Sequence, residues 1–280
     1  MIVSIIGVGL IGGSIALELK KANYATKIIG VDRNQTHLQQ AYDIGIIDED
    51  LSLEDALKVA NIIILAIPVD SATKISTYLL DHCQEDAVVF DVGSLKLPLC
   101  KAIEKHPKRH QFVAVHPIAG TEFSGPQAAH LDLFRSKINI ICDAHKSNEK
   151  GLDSVQKIFQ LMGAKTIMMK AETHDKHITY VSHLSHITSF ALSLTVQALE
   201  KTNQNIYNMA GSGFSSTVRL AQSTAQMWVP IFSQNKENIL PAIEVYINEL
   251  TALKKMIEND DTTQLINKIN NANKIKKILP

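Results

Sequence analysis

Short apolar runs alternate with helical patterns through the first 141 residues of the chain, at 2–6, 27–31, 61–67, 87–92, 112–115 and 137–141. The runs are rich in Ile and Val and lack polar alternation, as strands covered on both faces do. Strand after helix after strand predicts a parallel, doubly wound sheet. Ser52 with Asp55 forms a start signal resembling a capping box, Asp70 after Pro68 can cap the next helix, and Gly45 can end the helix before it. A further helix over 148–162 stops at Gly163, and 165–169 reads as one last strand. From about Thr173 the strand pattern gives way to helical periodicity over 173–201, 215–232, 238–258 and 262–279, broken near Gly211–Gly213 and Pro230. The expected fold is α/β, a Rossmann-type doubly wound sheet over 1–171 followed by an all-helical domain over 172–280.

Lys plus Arg and Asp plus Glu both number 28 in a chain of 280, so no global charge draws it to nucleic acid or anionic membrane. Any anion must be held by a local site. Cys83, Cys100 and Cys142 are widely spaced without a CxxC pair, which reads as buried, reduced thiols. The apolar start lacks a basic leader and is interrupted by Gly7, Gly9, Gly12 and Gly13, unlike a signal peptide. No apolar run reaches the ~18 residues of a membrane helix. A cytoplasmic protein is expected.

Gly7-Val8-Gly9-Leu10-Ile11-Gly12 matches GxGxxG between the first strand and the first helix. Gly7 permits the tight turn, Gly9 lets the backbone approach a pyrophosphate, and Gly12 lets helix and strand pack closely. The N–H groups at the helix start, around Leu10 and Ile11, can then hold phosphates. Asp32, 20 residues past Gly12, can accept the ribose hydroxyls of NAD. Arg33 beside it could instead pair with the 2′-phosphate of NADP.

Other candidates sit after later strands. Ser94, in Asp91-Val92-Gly93-Ser94-Leu95-Lys96, either caps the following helix or offers its hydroxyl to a ligand. His116 opens the run His116-Pro117-Ile118-Ala119-Gly120-Thr121-Glu122 on the same rim of the sheet. It is either a base for a substrate hydroxyl or an ordinary loop histidine. Thr121 and Glu122 continue that run as substrate-binding candidates, Glu122 as a carboxylate able to attract an ammonium. His183 and His186, three apart on a helix, share a face. They read as core histidines or as contacts to an anion or substrate, and no third ligand suggests a metal. Arg219, after a glycine-serine turn, can fork onto a carboxylate or form a surface ion pair.

Together, GVGLIGGS at 7–14, DVGSLK at 91–96, HPIAG at 116–120, SHLSH at 182–186 and Arg219 with Trp228 resemble the prephenate and arogenate dehydrogenases. The resemblance runs in order from residue 1 to about 230. It implies oxidative decarboxylation of prephenate to 4-hydroxyphenylpyruvate with reduction of NAD, in tyrosine biosynthesis. It makes His116 the catalytic histidine on the ring hydroxyl and Ser94 the serine supporting it. Arg219 then holds a substrate carboxylate, and His186 lines the same pocket. Ser185 stands where many members have proline, and Leu95 where valine is usual; neither changes the chemistry. The chain ends at Pro280 without a regulatory segment after the helices, so tyrosine feedback is expected at the active site itself.

Arogenate is the alternative substrate. A β-hydroxy acid dehydrogenase would leave HPIAG and SHLSH unexplained, and a non-catalytic NAD sensor would have no need of Ser94, His116 and Arg219 together. The apolar helical domain is expected to pair two copies into a homodimer.

Overall fold

The computed structural model describes residues 1–202 and 205–278. In chain order the elements are β1 (Ile2–Ile6), α1 (Leu10–Lys21), β2 (Lys27–Val31), α2 (Gln35–Asp43), β3 (Glu49–Asp50), α3 (Leu53–Val59), β4 (Ile62–Leu65) and α4 (Val69–His82). They continue as β5 (Val88–Asp91), α5 (Leu97–Ala102), β6 (Phe112–Pro117), β7 (Ile138–Cys142), α6 (Glu149–Leu161) and β8 (Lys165–Met169). Helices follow: α7 (Ala171–Ile178), α8 (Leu184–Glu200), α9 (Ser212–Val218), α10 (Ala225–Gln234), α11 (Lys236–Glu258) and α12 (Thr262–Ala272). By the contacts between its residues the chain divides into two compact units, Met1–Asn235 and Lys236–Pro280.

In the first unit one eight-stranded sheet runs in the order β3-β2-β1-β4-β5-β6-β7-β8. The apolar runs are its strands, and alternate side chains serve opposite faces. Val88 and Phe90 of β5 pack with α1 and α6 residues such as Ile15 and Phe159, whereas Val89 packs with Leu79 of α4 and Leu99 of α5. Each such side chain, when fully buried, contributes about 1.5–3 kcal/mol. The sheet departs from the expected all-parallel arrangement at one place: β7 runs antiparallel to β6, pairing His116 with Ile140. Between them lies only a short 3₁₀ turn at Pro126–Ala128. Without a crossover helix the chain cannot return to start a parallel strand, so it folds back.

Local signals met mixed outcomes. Ser52 accepts a hydrogen bond from the Asp55 amide and donates to its carboxylate, closing the predicted cap. Gly45 follows the end of α2. Asp70 does not cap α4: Pro68 holds that position, and Asp70 sits in the first turn facing Lys74 at 3.4 Å. The helix expected over 173–201 is two helices, α7 and α8, joined by a π-turn at Thr179–His183. That over 215–232 breaks at Ser223 and Thr224, and the last helix was expected to reach Leu279, outside the described residues. All three cysteines are buried. Among the described residues no helix is long and apolar enough to cross a membrane.

Candidate active site

The strand order reverses about β1, whose neighbours are β2 and β4, and the glycine turn leaves the carboxyl end of β1 at that point. Open α/β sheets bind ligands in the crevice such a reversal creates. Gly7 takes φ +97°, and a Cβ there would strike the Ala66 carbonyl; one on Gly12 would strike the carbonyl of Gly7. Around Gly9, by contrast, a Cβ would meet nothing within 4 Å. Two glycines thus close the turn on itself while the third leaves its outer face open, which is the space a pyrophosphate needs. Gly9 also precedes α1 with no side-chain cap, so the first-turn N–H groups at Leu10 and Ile11 face that opening.

Asp32 stands at the end of β2, its carboxylate accepting the amides of Val8 at 3.2 Å and Asn34 at 2.9 Å. Each oxygen keeps lone-pair capacity for a hydroxyl donor. Arg33 is exposed. The turn and the acid therefore fit a dinucleotide on the geometry of this chain alone.

His116, near the end of β6, is partly exposed, and its Nδ1 lies 2.8 Å from Nε2 of His174 in α7. His174 is 1% exposed and its Nδ1 lies 2.7 Å from the carboxylate of Asp175. The same carboxylate accepts the backbone amides of Lys96 and Leu97, both at 2.9 Å. Asp175 is therefore what caps α5. Ser94, read from sequence as a possible cap, lies two residues ahead of the Lys96 cap position, partly buried and with its hydroxyl unengaged among the described residues. Lys96 is fully buried, its ammonium bonded to the Asp91 carboxylate and the Val115 carbonyl. Burial pushes the His116 imidazole well below its usual range, and His174, Lys96 and His183 add to the effect by charge. His116 is thus neutral at physiological pH.

His183 and His186 flank Trp228, one edge-on at 5.9 Å between ring centroids and the other stacked at 3.6 Å. They differ in setting. His183 is fully buried, its Nδ1 3.2 Å from the Asn235 side-chain nitrogen, and burial lowers its pKa to about 4. Its Nε2 is buried with no partner among the described residues. His186 is partly exposed and donates from Nδ1 to the Ser182 carbonyl at 3.0 Å, leaving Nε2 open; burial lowers its pKa as well. Trp228 and Ile231 pack on Val69 and Leu95, so helices of the later sequence close over the rim of the sheet. Arg219 follows α9 and meets Glu122 at 3.0 Å, with 52% of its side chain exposed. Thr121 is exposed and its hydroxyl accepts the Phe123 amide at 3.2 Å, a local turn rather than a contact with the other candidates.

A family model described as the nucleotide-binding domain of prephenate dehydrogenase matches residues 15–168, and one described as its dimerization domain matches 170–271. The chain belongs to the prephenate dehydrogenase family. It is 31% identical to the prephenate dehydrogenase of Bacillus subtilis over 98% of this chain and 75% of that one. With the cyclohexadienyl dehydrogenase of Zymomonas mobilis it shares 26% identity, covering 99% and 95%. The crystal structure of the A. aeolicus prephenate dehydrogenase with hydroxyphenyl propionate and NAD+ superposes with a TM-score of 0.90 at 34% identity, covering 99% of this chain and 97% of the other. This prephenate dehydrogenase relative is accordingly an oxidoreductase with a nucleotide-binding domain.

Within this member of the prephenate dehydrogenase family, the sequence motifs singled out Ser94, His116, Arg219 and both helical histidines as candidates but not His174 and Asp175, which the structure places against His116 and the start of α5. Adjacent His-Asp on a helix that opens the second half was the one signal on offer. It carries no spacing rule, and its partners, His116 and Lys96, lie 58 and 79 residues away.

Proposed function

We propose that this chain is a cytoplasmic, NAD-dependent dehydrogenase that oxidises and decarboxylates prephenate to 4-hydroxyphenylpyruvate. The observation that carries the reading is a neutral histidine with one ring nitrogen free, His116, on the sheet rim that also carries the glycine turn and Asp32. Gly7, Gly9 and Gly12, with the amides of Leu10 and Ile11, take the pyrophosphate, and Asp32 takes the adenosine ribose. Arg33 remains outside as a surface cation. NAD, when bound, supplies the acceptor for a hydride from C4 of the ring.

His116 accepts the proton of the C4 hydroxyl as that carbon becomes carbonyl-like, and Ser94 donates to the same oxygen. The bond from C1 to the ring carboxylate breaks, its electron pair enters the ring, and carbon dioxide leaves. The proton then returns from His116 to the phenolic oxygen, so no net proton is consumed. Aromatisation drives the step, and the protein's task is to orient and to hold charge. Arg219 anchors the side-chain carboxylate, His186 and Trp228 line the ring, and His183 packs edge-on against Trp228, with Thr121 and Glu122 as further substrate contacts. Tyrosine, with the carboxylate and phenol ends of the product, competes for the same place.

Residues 1–171 hold the nucleotide in this reading, and 172–280 supply the substrate pocket and pair two copies. The pairing of Arg219 with Glu122 favours a second reading: a guanidinium beside a carboxylate suits an α-amino acid, and hence arogenate. Nicotinamide reduction followed with prephenate and with arogenate, each against NAD and NADP, separates the cases. Turnover of prephenate with NAD supports the first reading and of arogenate the second. Tight NAD binding without turnover of either overturns both.

A further inference from the structure

Nothing in the motifs of this chain says which nitrogen of His116 carries hydrogen, yet a base must present its lone pair to the substrate. The answer lies in the buried chain behind it. Two of the three groups on the Asp175 carboxylate are backbone amides, of Lys96 and Leu97, which can only donate. The carboxylate therefore acts as acceptor, and the third group, Nδ1 of His174, carries its hydrogen towards it. With its ring hydrogen placed on Nδ1, the other nitrogen of His174, Nε2, has a lone pair only. It faces Nδ1 of His116 at 2.8 Å, so that nitrogen must donate. One tautomer of His116 remains: hydrogen on Nδ1, lone pair on Nε2. That free nitrogen has no partner among the described residues. The rings meet edge-on, centroids 5.0 Å apart and planes at 73°, which also fixes the plane of the His116 imidazole.

We propose that His174 and Asp175 are positioning residues that lock His116 in the tautomer whose Nε2 is the proton acceptor. The proposal rests on His116 being the base of the proposed reaction, but the tautomer itself can be read without any substrate. His174 is sealed from water at 1% exposed, held between His116 on one ring nitrogen and Asp175 on the other. Asp175 is held against rotation by the two α5 amides, so the orienting group is itself fixed.

The first test is nitrogen NMR on the ligand-free, full-length protein labelled with ¹⁵N-histidine. The expected signature is a protonated Nδ1 and an unprotonated Nε2 on His116, assigned by loss of its signals in His116→Asn. A protonated Nε2, or rapid averaging between tautomers, overturns the proposal whatever the substrate proves to be. The second test compares His174→Phe, which removes the acceptor, with His174→Gln, whose side-chain oxygen can replace Nε2. The first should lower kcat by roughly 10²–10⁴-fold, with KM little changed, the scale of losing a correctly presented base. The glutamine variant should recover most of kcat. Equal kcat in the phenylalanine variant and the parent overturns the proposal; so does a glutamine variant as impaired as the phenylalanine one while folded by circular dichroism.

Discussion

At the residue scale, the decisive property of His116 is that it is neutral and held. His116→Asn keeps a polar group but no base, and kcat should fall by about 10²–10⁴-fold with KM nearly constant; steady-state kinetics on the proposed substrate checks this. His183 makes a prediction about stability instead. Its folded pKa, lowered to about 4 by burial, lies below the value near 6.5 that an unfolded chain would show. Between those values the unfolded state binds the extra proton, so stability is fully present above about pH 6.5 and is lost as pH falls towards 4, by up to about 1.4 kcal/mol per pH unit. Urea unfolding at pH 7, 6 and 5 should show this slope. His183→Asn, whose side-chain oxygen can still accept from Asn235, should flatten it. The candidate site was only half legible at this scale. His116, Ser94 and Arg219 announce themselves by following strands or turns, whereas the roles of His174 and Asp175 are created by contacts between distant segments.

At the element scale, apolar runs without alternation were sufficient to find β1, β2, β4, β5, β6 and β7, because burial on both faces leaves little freedom in composition. They missed β3, only two residues long, and could not show that β7 is reversed, since direction depends on what connects the strands. The π-turn was equally hidden. Inserting one residue into a helical turn rotates everything after it by about 100°, which alters where His183 and His186 face relative to His174 without leaving a mark in the sequence. The glycine turn yields a sharper test. Gly9→Ala places its methyl in open space, so thermal stability should stay unchanged while calorimetric titration shows NAD binding at least ~10-fold weaker. Gly12→Ala forces a methyl into the Gly7 carbonyl and should lower both the melting temperature and the affinity. Equal behaviour of the two would mean the open face of Gly9 is not where the nucleotide lies.

At the scale of the whole molecule, the helices of the second unit keep Leu240, Val245, Ile247, Leu250, Ile257, Ile266 and Ile269 substantially exposed in a single chain. So many exposed apolar side chains on two helices call for a partner, and light scattering at micromolar concentration should return twice the mass of one chain. A monomer there would require another role for these side chains. One further consequence follows from the capping of α5 by Asp175. The amides of Lys96 and Leu97 belong to the nucleotide-binding half, but their acceptor arrives 79 and 78 residues later in the chain. During synthesis, then, these two amides have no Asp175 to bond until α7 has left the ribosome and docked. In the mature protein the two amide protons should exchange with solvent at the rate at which α7 lifts away, not at the slower rate of opening the sheet.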